Sequence, residues 1–338
     1  ALLVDVGSGS IGAGLVVYKE GKKPDIIFET REQLPIEARL SHKRLLPVMI
    51  SFFEKLIDRV VKKGLPIFSK NEEGVKVEKI IVQLSSPWHI STTKSLHFKF
   101  EKSFLLTPVF IKDILSYENK NFLASVVKDN FSSLLGDSQK SVIVEQEVLE
   151  TKINGYPVKY PIDRNADDFE ATVFMSAFPN KVIESAKKFF GRYFPELEPE
   201  FHSTTVVYFD VFRHLFPDEG SFIIVHVSGE TTDVSVVKND IITETISFPL
   251  GRNFIIRKLI GEVKGIDSSI ALSMIQVYSE GNVSPKYSVK LKEILSQAES
   301  DWVELFADSM RDFSKDFFLP TKVFVIAGDN SASVFASL

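Results

Sequence analysis

Apolar residues along the chain form short runs at its start, then a long stretch at helical spacing, and the opening pattern returns past the middle. Positions 2–6 and 15–18 are aliphatic runs flanking the Gly/Ser-rich stretch 7–14, and 25–30 follows the turn signal Glu20-Gly21-Lys22. That pattern predicts a three-stranded meander. From 41 to 63, Leu45, Val48, Met49, Phe52, Phe53, Leu56, Ile57, Val60 and Val61 recur close to i, i+3, i+4, i+7. The spacing predicts an amphipathic helix stopped at Gly64 and Pro66. A buried strand is expected at 77–84, broken by Ser85-Ser86-Pro87.

Strands at 91–100, 142–153 and 169–178, with helices at 108–128 and 181–193, read as an α+β unit inserted between two halves of a larger fold. A helix at 204–216 leads to strands at 221–227, 232–238 and 241–248, which repeat the opening meander and its glycine turn roughly 220 residues later. Helices at 254–261, 268–280 and 288–317 precede a last strand at 322–326 that runs into Ala327-Gly328-Asp329-Asn330. The expected organisation is an α/β chain in two lobes: 1–86, an inserted unit at 87–195, and 196–338 with a helical insertion at about 262–318.

Composition narrows the class. A length of 338 residues exceeds what one core usually supports, and 44% hydrophobic with 25% charged residues is ordinary for a folded globular chain. A formal charge of −5 gives no overall attraction for nucleic acid or anionic lipid, and the absence of cysteine excludes thiolate chemistry, disulfides and Cys-based metal sites. The six histidines carry no i, i+4 pair, which argues against a histidine metal site. No apolar run reaches the roughly 18–20 residues of a membrane span, and the chain opens on a strand without a signal-type segment. The expected location is cytoplasmic. The 29 phenylalanines read as core, with an adhesive surface as the alternative.

Three loops hold candidate chemistry. In Asp5-Val6-Gly7-Ser8-Gly9-Ser10 the glycines let backbone N–H groups converge, the hydroxyls add donors, and Asp5 could hold magnesium through water; a plain hairpin turn is the other reading. Ser228-Gly229-Glu230-Thr231-Thr232-Asp233 repeats the arrangement, although Asp233 equally suits a turn-stabilising carboxylate. At Ala327-Gly328-Asp329-Asn330-Ser331, a strand-to-helix junction could bring N–H groups to a phosphate or base.

In order and spacing, LLVDVGSGSIGAGLVV, FIIVHVSGETTDVSVV and VFVIAGDN resemble the two phosphate motifs and the adenosine motif of the actin, Hsp70 and sugar-kinase superfamily. Within it, VIVEQEVLETKINGYPV and FEATVFMSAFPNKVIESAKKFF resemble the SHS2-type subdomain of the FtsA and PilM branch, and SFPLGRNFIIRKL resembles the segment after its second phosphate loop. The resemblance covers nearly the whole chain. It implies an actin-like, ribonuclease H-like two-lobe fold that binds ATP or ADP with magnesium, Asp5 contacting the metal. By the same resemblance, nucleotide would lie against Gly7, Ser8, Gly9, Ser10, Ser228, Gly229, Glu230, Thr231, Thr232, Gly328, Asp329 and Asn330. It also implies self-association, and docking of the inserted subdomain on a membrane-associated division or type IV pilus machine at the inner face of the membrane.

The sequence departs from that pattern where turnover is decided. His226 stands where the second phosphate strand normally ends in aspartate, and imidazole is a poor substitute for a hard oxygen ligand. A histidine at a strand end also reads simply as a satisfied polar residue. Ser228 replaces the first glycine of a pair, Asp329 brings negative charge to the adenosine loop, and Gly12 stands where actin has a lysine, leaving few cations. These departures favour an assembly scaffold with weak or no turnover over an active magnesium-dependent ATPase or a small-molecule phosphotransferase. No catalytic residue is assigned.

Overall fold

The computed structural model describes residues 1–36, 42–71, 74–124, 140–280, 285–314 and 318–328. Strand β1 (Leu2–Val6) buries Leu2, Val4 and Val6 and turns Leu3 and Asp5 to its other face. It lies between β2 (Ser10–Val17), antiparallel, and β4 (Ile80–Leu84), parallel, while β3 (Asp25–Gln33) pairs outside β2. Helix α1 (His42–Arg59) buries Met49, Phe53, Leu56 and Ile57 in the same core as β1 and β2.

The helix does not stop at Gly64. It widens into a π turn at Val60–Gly64, where Leu65 N–H donates to Val60 O, and continues as α2 (Leu65–Asn71). Gly64 serves close approach: a Cβ there would stand 2.7 Å from Phe28 Cδ1 and 3.0 Å from Leu15 Cδ1. Pro66 follows directly after the π turn, as the second residue of α2.

Past β4 the chain builds a second, antiparallel sheet in the order β5-β8-β6-β7 from β5 (Ile90–Leu105), β6 (Ser141–Ile153), β7 (Tyr156–Pro157) and β8 (Asn165–Pro179). Helix α3 (Pro108–Phe122), capped by the Thr107 hydroxyl accepting from Phe110 N–H, packs on this sheet. Phe98, Phe100, Phe104, Phe110 and Phe169 meet there ring to ring, consistent with the core reading of the phenylalanines. The end of the helix expected to reach 128 lies outside the described residues.

Helix α4 (Asn180–Tyr193) returns the chain to the first core through Val182, Ala186, Phe189 and Phe190, ahead of the boundary expected at 195. The four-residue β9 (Glu200–Ser203) completes the sheet β3-β2-β1-β4-β9 and is too short to show a period in sequence. Ser203 then caps α5 (Thr204–Leu215), accepting from Val206 N–H.

A third sheet, β12-β11-β10-β13, joins β10 (Phe222–Val227), β11 (Thr232–Lys238), β12 (Ile241–Phe248) and β13 (Val323–Ala327), with β13 parallel to β10. Helices α6 (Arg252–Glu262), α7 (Ser268–Ser279) and α8 (Pro285–Ser314) bury Ile256, Leu259, Ala271, Leu291, Leu295 and Trp302 in the core of this lobe. Meander plus parallel fourth strand is thus built twice, realising the repeat seen in sequence. Among the described residues, no helix is long and apolar enough to cross a membrane.

Candidate functional site: the cleft between the glycine turns

Each meander begins with the same tight turn. Gly7 N–H donates to Ser10 O at 3.0 Å between β1 and β2, and Ser228 N–H donates to Thr231 O at 2.9 Å between β10 and β11. The two turns touch tip to tip. Glu230 N–H donates to Ser8 Oγ at 2.8 Å, Ser8 N–H to Ser228 Oγ at 3.3 Å, and the two serine hydroxyls are 3.0 Å apart. Glycine makes this possible, since a Cβ on Gly229 would fall 2.3 Å from Gly9 Cα and 2.4 Å from Gly9 N. Helix α6 holds the second turn from behind, with Arg252 and Asn253 N–H donating to the carbonyls of Ser228 and Gly229 at 2.9 and 2.8 Å.

The contact is a direct target. Gly229→Ala forces backbone against backbone and is expected to lower stability by about 1–3 kcal/mol. Gly191→Ala in α4, where a Cβ would meet nothing within 4 Å, is expected to be neutral or to stabilise by up to about 1 kcal/mol. Urea midpoints of the two variants check this, and equal effects would contradict it.

Strand register sets the chemistry beside the turns. Asp5, Gly12 and Arg31 form one row across β1, β2 and β3. With no side chain at Gly12, where a Cβ would stand 2.6 Å from Arg31 Nη2, the guanidinium crosses to Asp5 Oδ2 at 2.8 Å and donates to Ser10 Oγ at 2.8 Å. The matching row in the other lobe is His226, Asp233 and Ser247 across β10, β11 and β12. Asp233 Oδ1 accepts from Ser247 Oγ, Oδ2 accepts from Ser86 N–H at 3.4 Å, and His226 Nδ1 lies 3.5 Å from Oδ2.

The fold is shared with a solved structure over the whole chain. PilM in the PilM–PilN type IV pilus biogenesis complex matches with a TM-score of 0.64 at 11% identity, covering 100% of this chain and 84% of its own. The chain has the actin-like ATPase fold. Two weaker likenesses are the ethanolamine utilization protein EutJ from Carboxydothermus hydrogenoformans and a Bacteroides thetaiotaomicron protein with an actin-like ATPase fold. EutJ has a TM-score of 0.46 at 13% identity, covering 99% of this chain and 79% of its own. The Bacteroides protein has 0.40 at 10%, covering 99% and 95%. At those scores they add nothing to the assignment of fold. No protein-family model matches the chain, and no curated protein matches it.

In this actin-like cleft a cavity of about 210 Å³ is lined by Asp5, Arg31, Tyr208, His226, Arg252 and the glycine turns. Burial, and then the charge of Asp5, push the Tyr208 phenol up to about 12, so it remains a protonated donor at neutral pH. Its ring centroid is 5.0 Å from that of His226. The residues do not fit the magnesium expected at Asp5. That carboxylate is bonded to Arg31, it is the only one in the cavity wall among the described residues, and Asp233 is buried and engaged by Ser247 and Ser86. Magnesium needs oxygen ligands and retained waters, which a guanidinium–carboxylate pair does not offer.

The structure brings Asp5, Gly7, Gly9, Ser10, Ser228, Gly229 and Gly328 to the cavity wall. Ser8, 1% exposed, is used in the turn-to-turn contact. The Glu230 carboxylate turns away to Arg257 and Asn253, Thr231 Oγ1 donates to Ser86 O at 2.9 Å, and Thr232 Oγ1 donates to Leu250 O at 2.6 Å. Asp329 and Asn330 lie outside the described residues. Sequence reasoning missed Arg31, Tyr208 and Arg252, and expected few cations where two arginines stand. A clue lay in Gly12, whose missing side chain opens the row, but only the register names Arg31. Register also pairs His97 with Glu170, and His97 Nε2 lies 2.8 Å from Asp168 Oδ1, a cross-strand grouping invisible to i, i+4 counting.

Proposed function

We propose that this chain is a cytoplasmic assembly scaffold of the PilM and FtsA kind, which docks through its inserted α+β subdomain on a membrane-associated type IV pilus or division machine. Its cleft does not run a fast ATPase cycle. The observation that carries this reading is the turn-to-turn contact. Ser8 N–H, Ser8 Oγ, Ser228 Oγ and Glu230 N–H bond one another, so groups that would face phosphates in an ATPase instead tie the lobes together. The replacement of a strand-end carboxylate by His226 works in the same direction, because among the described residues the one carboxylate in the cavity wall, Asp5, is bonded to Arg31. The likeness to PilM, solved in complex with PilN, supports the scaffold role and a protein partner.

Phosphate release from ATP is the direct test. The expected rate with magnesium is no higher than that of a buffer blank, and the full chain is expected to co-precipitate with the membrane components encoded beside it. Steady release that Asp5→Ala abolishes would replace this reading with an active ATPase of the same fold.

A further inference from the structure

We propose that the cleft takes a phosphate-class anion without a divalent metal, the Arg31 guanidinium supplying the positive charge. The proposal deepens the scaffold reading and rests on the absence of metal-driven turnover in it. Two guanidinium groups, one from each lobe, border a cavity whose wall holds a single carboxylate among the described residues. Arg31 is fixed over Gly12 by Asp5 and Ser10, and Arg252 reaches from the start of α6 toward the first lobe, where Nη2 donates to Gln33 Oε1 at 3.3 Å. Guanidinium forks match phosphate oxygens in geometry as well as charge.

The rest of the wall suits the same ligand. The protonated Tyr208 hydroxyl and the His226 ring border the cavity beside the guanidinium groups. The volume of about 210 Å³ is below the roughly 300–1,000 Å³ of ordinary small-molecule pockets, a size that suits a phosphate group. Magnesium would have to displace Arg31 from Asp5 to enter and therefore competes with binding. Free orthophosphate, free diphosphate and the terminal phosphates of a nucleotide share this chemistry.

Calorimetric titration of the full chain with sodium phosphate, sodium diphosphate and ADP, each in EDTA and in excess magnesium chloride, tests the proposal. Binding is expected in EDTA and is unchanged or weakened by magnesium. Arg31→Ala is expected to weaken it about tenfold or more, with partial recovery in Arg31→Lys, and Asp5→Asn to tighten it several-fold. Thermal melts of these half-exposed positions establish that the variants are folded. ADP at least tenfold tighter than diphosphate identifies a nucleotide as the source, and equal affinities identify the free anion. Binding that requires magnesium, binding indifferent to Arg31→Ala, or no binding of any of the three overturns the proposal. Magnesium-dependent binding without phosphate release overturns it while leaving the scaffold reading intact, and magnesium-dependent release overturns both.

Discussion

Replacing Glu230 with alanine is expected to destabilise the folded chain by about 3–5 kcal/mol. The carboxylate is 4% exposed, and Oε1 accepts from Asn253 Nδ2 at 2.7 Å and Arg257 Nη1 at 3.0 Å while Oε2 accepts from Arg257 Nη2 at 2.6 Å. Removing it leaves a largely buried guanidinium without its counter-ion, which costs more than the intact pair is worth because the remaining charge stays desolvated. Urea denaturation measures the loss. Arg257→Ala in the Glu230→Ala background should recover part of it, the coupling that a double-mutant cycle isolates. For comparison, Lys62→Ala at the exposed Asp58 pair should cost no more than about 0.5 kcal/mol. A loss below about 1 kcal/mol for Glu230→Ala would mean that the pair does not anchor the second glycine turn to α6.

Acid should weaken the protein through Asp233. Burial alone would push this carboxyl up; the His226 imidazole 3.5 Å away, the His89 ring and the Ser247 hydroxyl outweigh burial and bring it from 3.8 down to about 2. The folded state therefore binds this proton more weakly than the unfolded chain. The stabilisation is fully present above the unfolded value of 3.8, fades as pH falls below it, and is lost through about pH 2. Its size is about 2–3 kcal/mol. Other carboxylates titrate in the same range, so the measurement is the difference in melting temperature between the parent chain and Asp233→Asn from pH 6 to pH 2. The gap should narrow as pH falls. A constant gap would assign the loss to the missing hydrogen bonds and not to the ionised carboxylate.

Much of the architecture was legible in sequence because strands and helices write their periods locally. The runs at 2–6 and 15–18, the helical spacing of Leu45 through Val61, and the echo of the first meander at 221–248 each depend on neighbours within a few residues. Errors fell where the determining contact was distant. Gly64 and Pro66 read as a stop, yet Phe28 and Leu15 press against Gly64 and the chain turns helically through it. Strand β9 has only four residues, and its place in the sheet comes from pairing with β4.

The cleft divides along the same line. Sequence alone determined that two glycine-bearing turns exist, that each opens a meander, and that an imidazole stands where a carboxylate is usual, since these are matters of residue identity and order. It could not determine what the side chains bond to. Arg31 reaches Asp5 because three strands align Asp5, Gly12 and Arg31 in one row, and Ser8 meets Ser228 and Glu230 across 220 and 222 residues. The tertiary structure decided that Thr231, Thr232 and Glu230 serve the protein's own framework: Leu250 and Arg257 reach Thr232 and Glu230 when the second lobe packs, and Ser86 reaches Thr231 from the first lobe. Periodicity tells which face a residue occupies; what stands opposite that face is set by strand register and lobe packing.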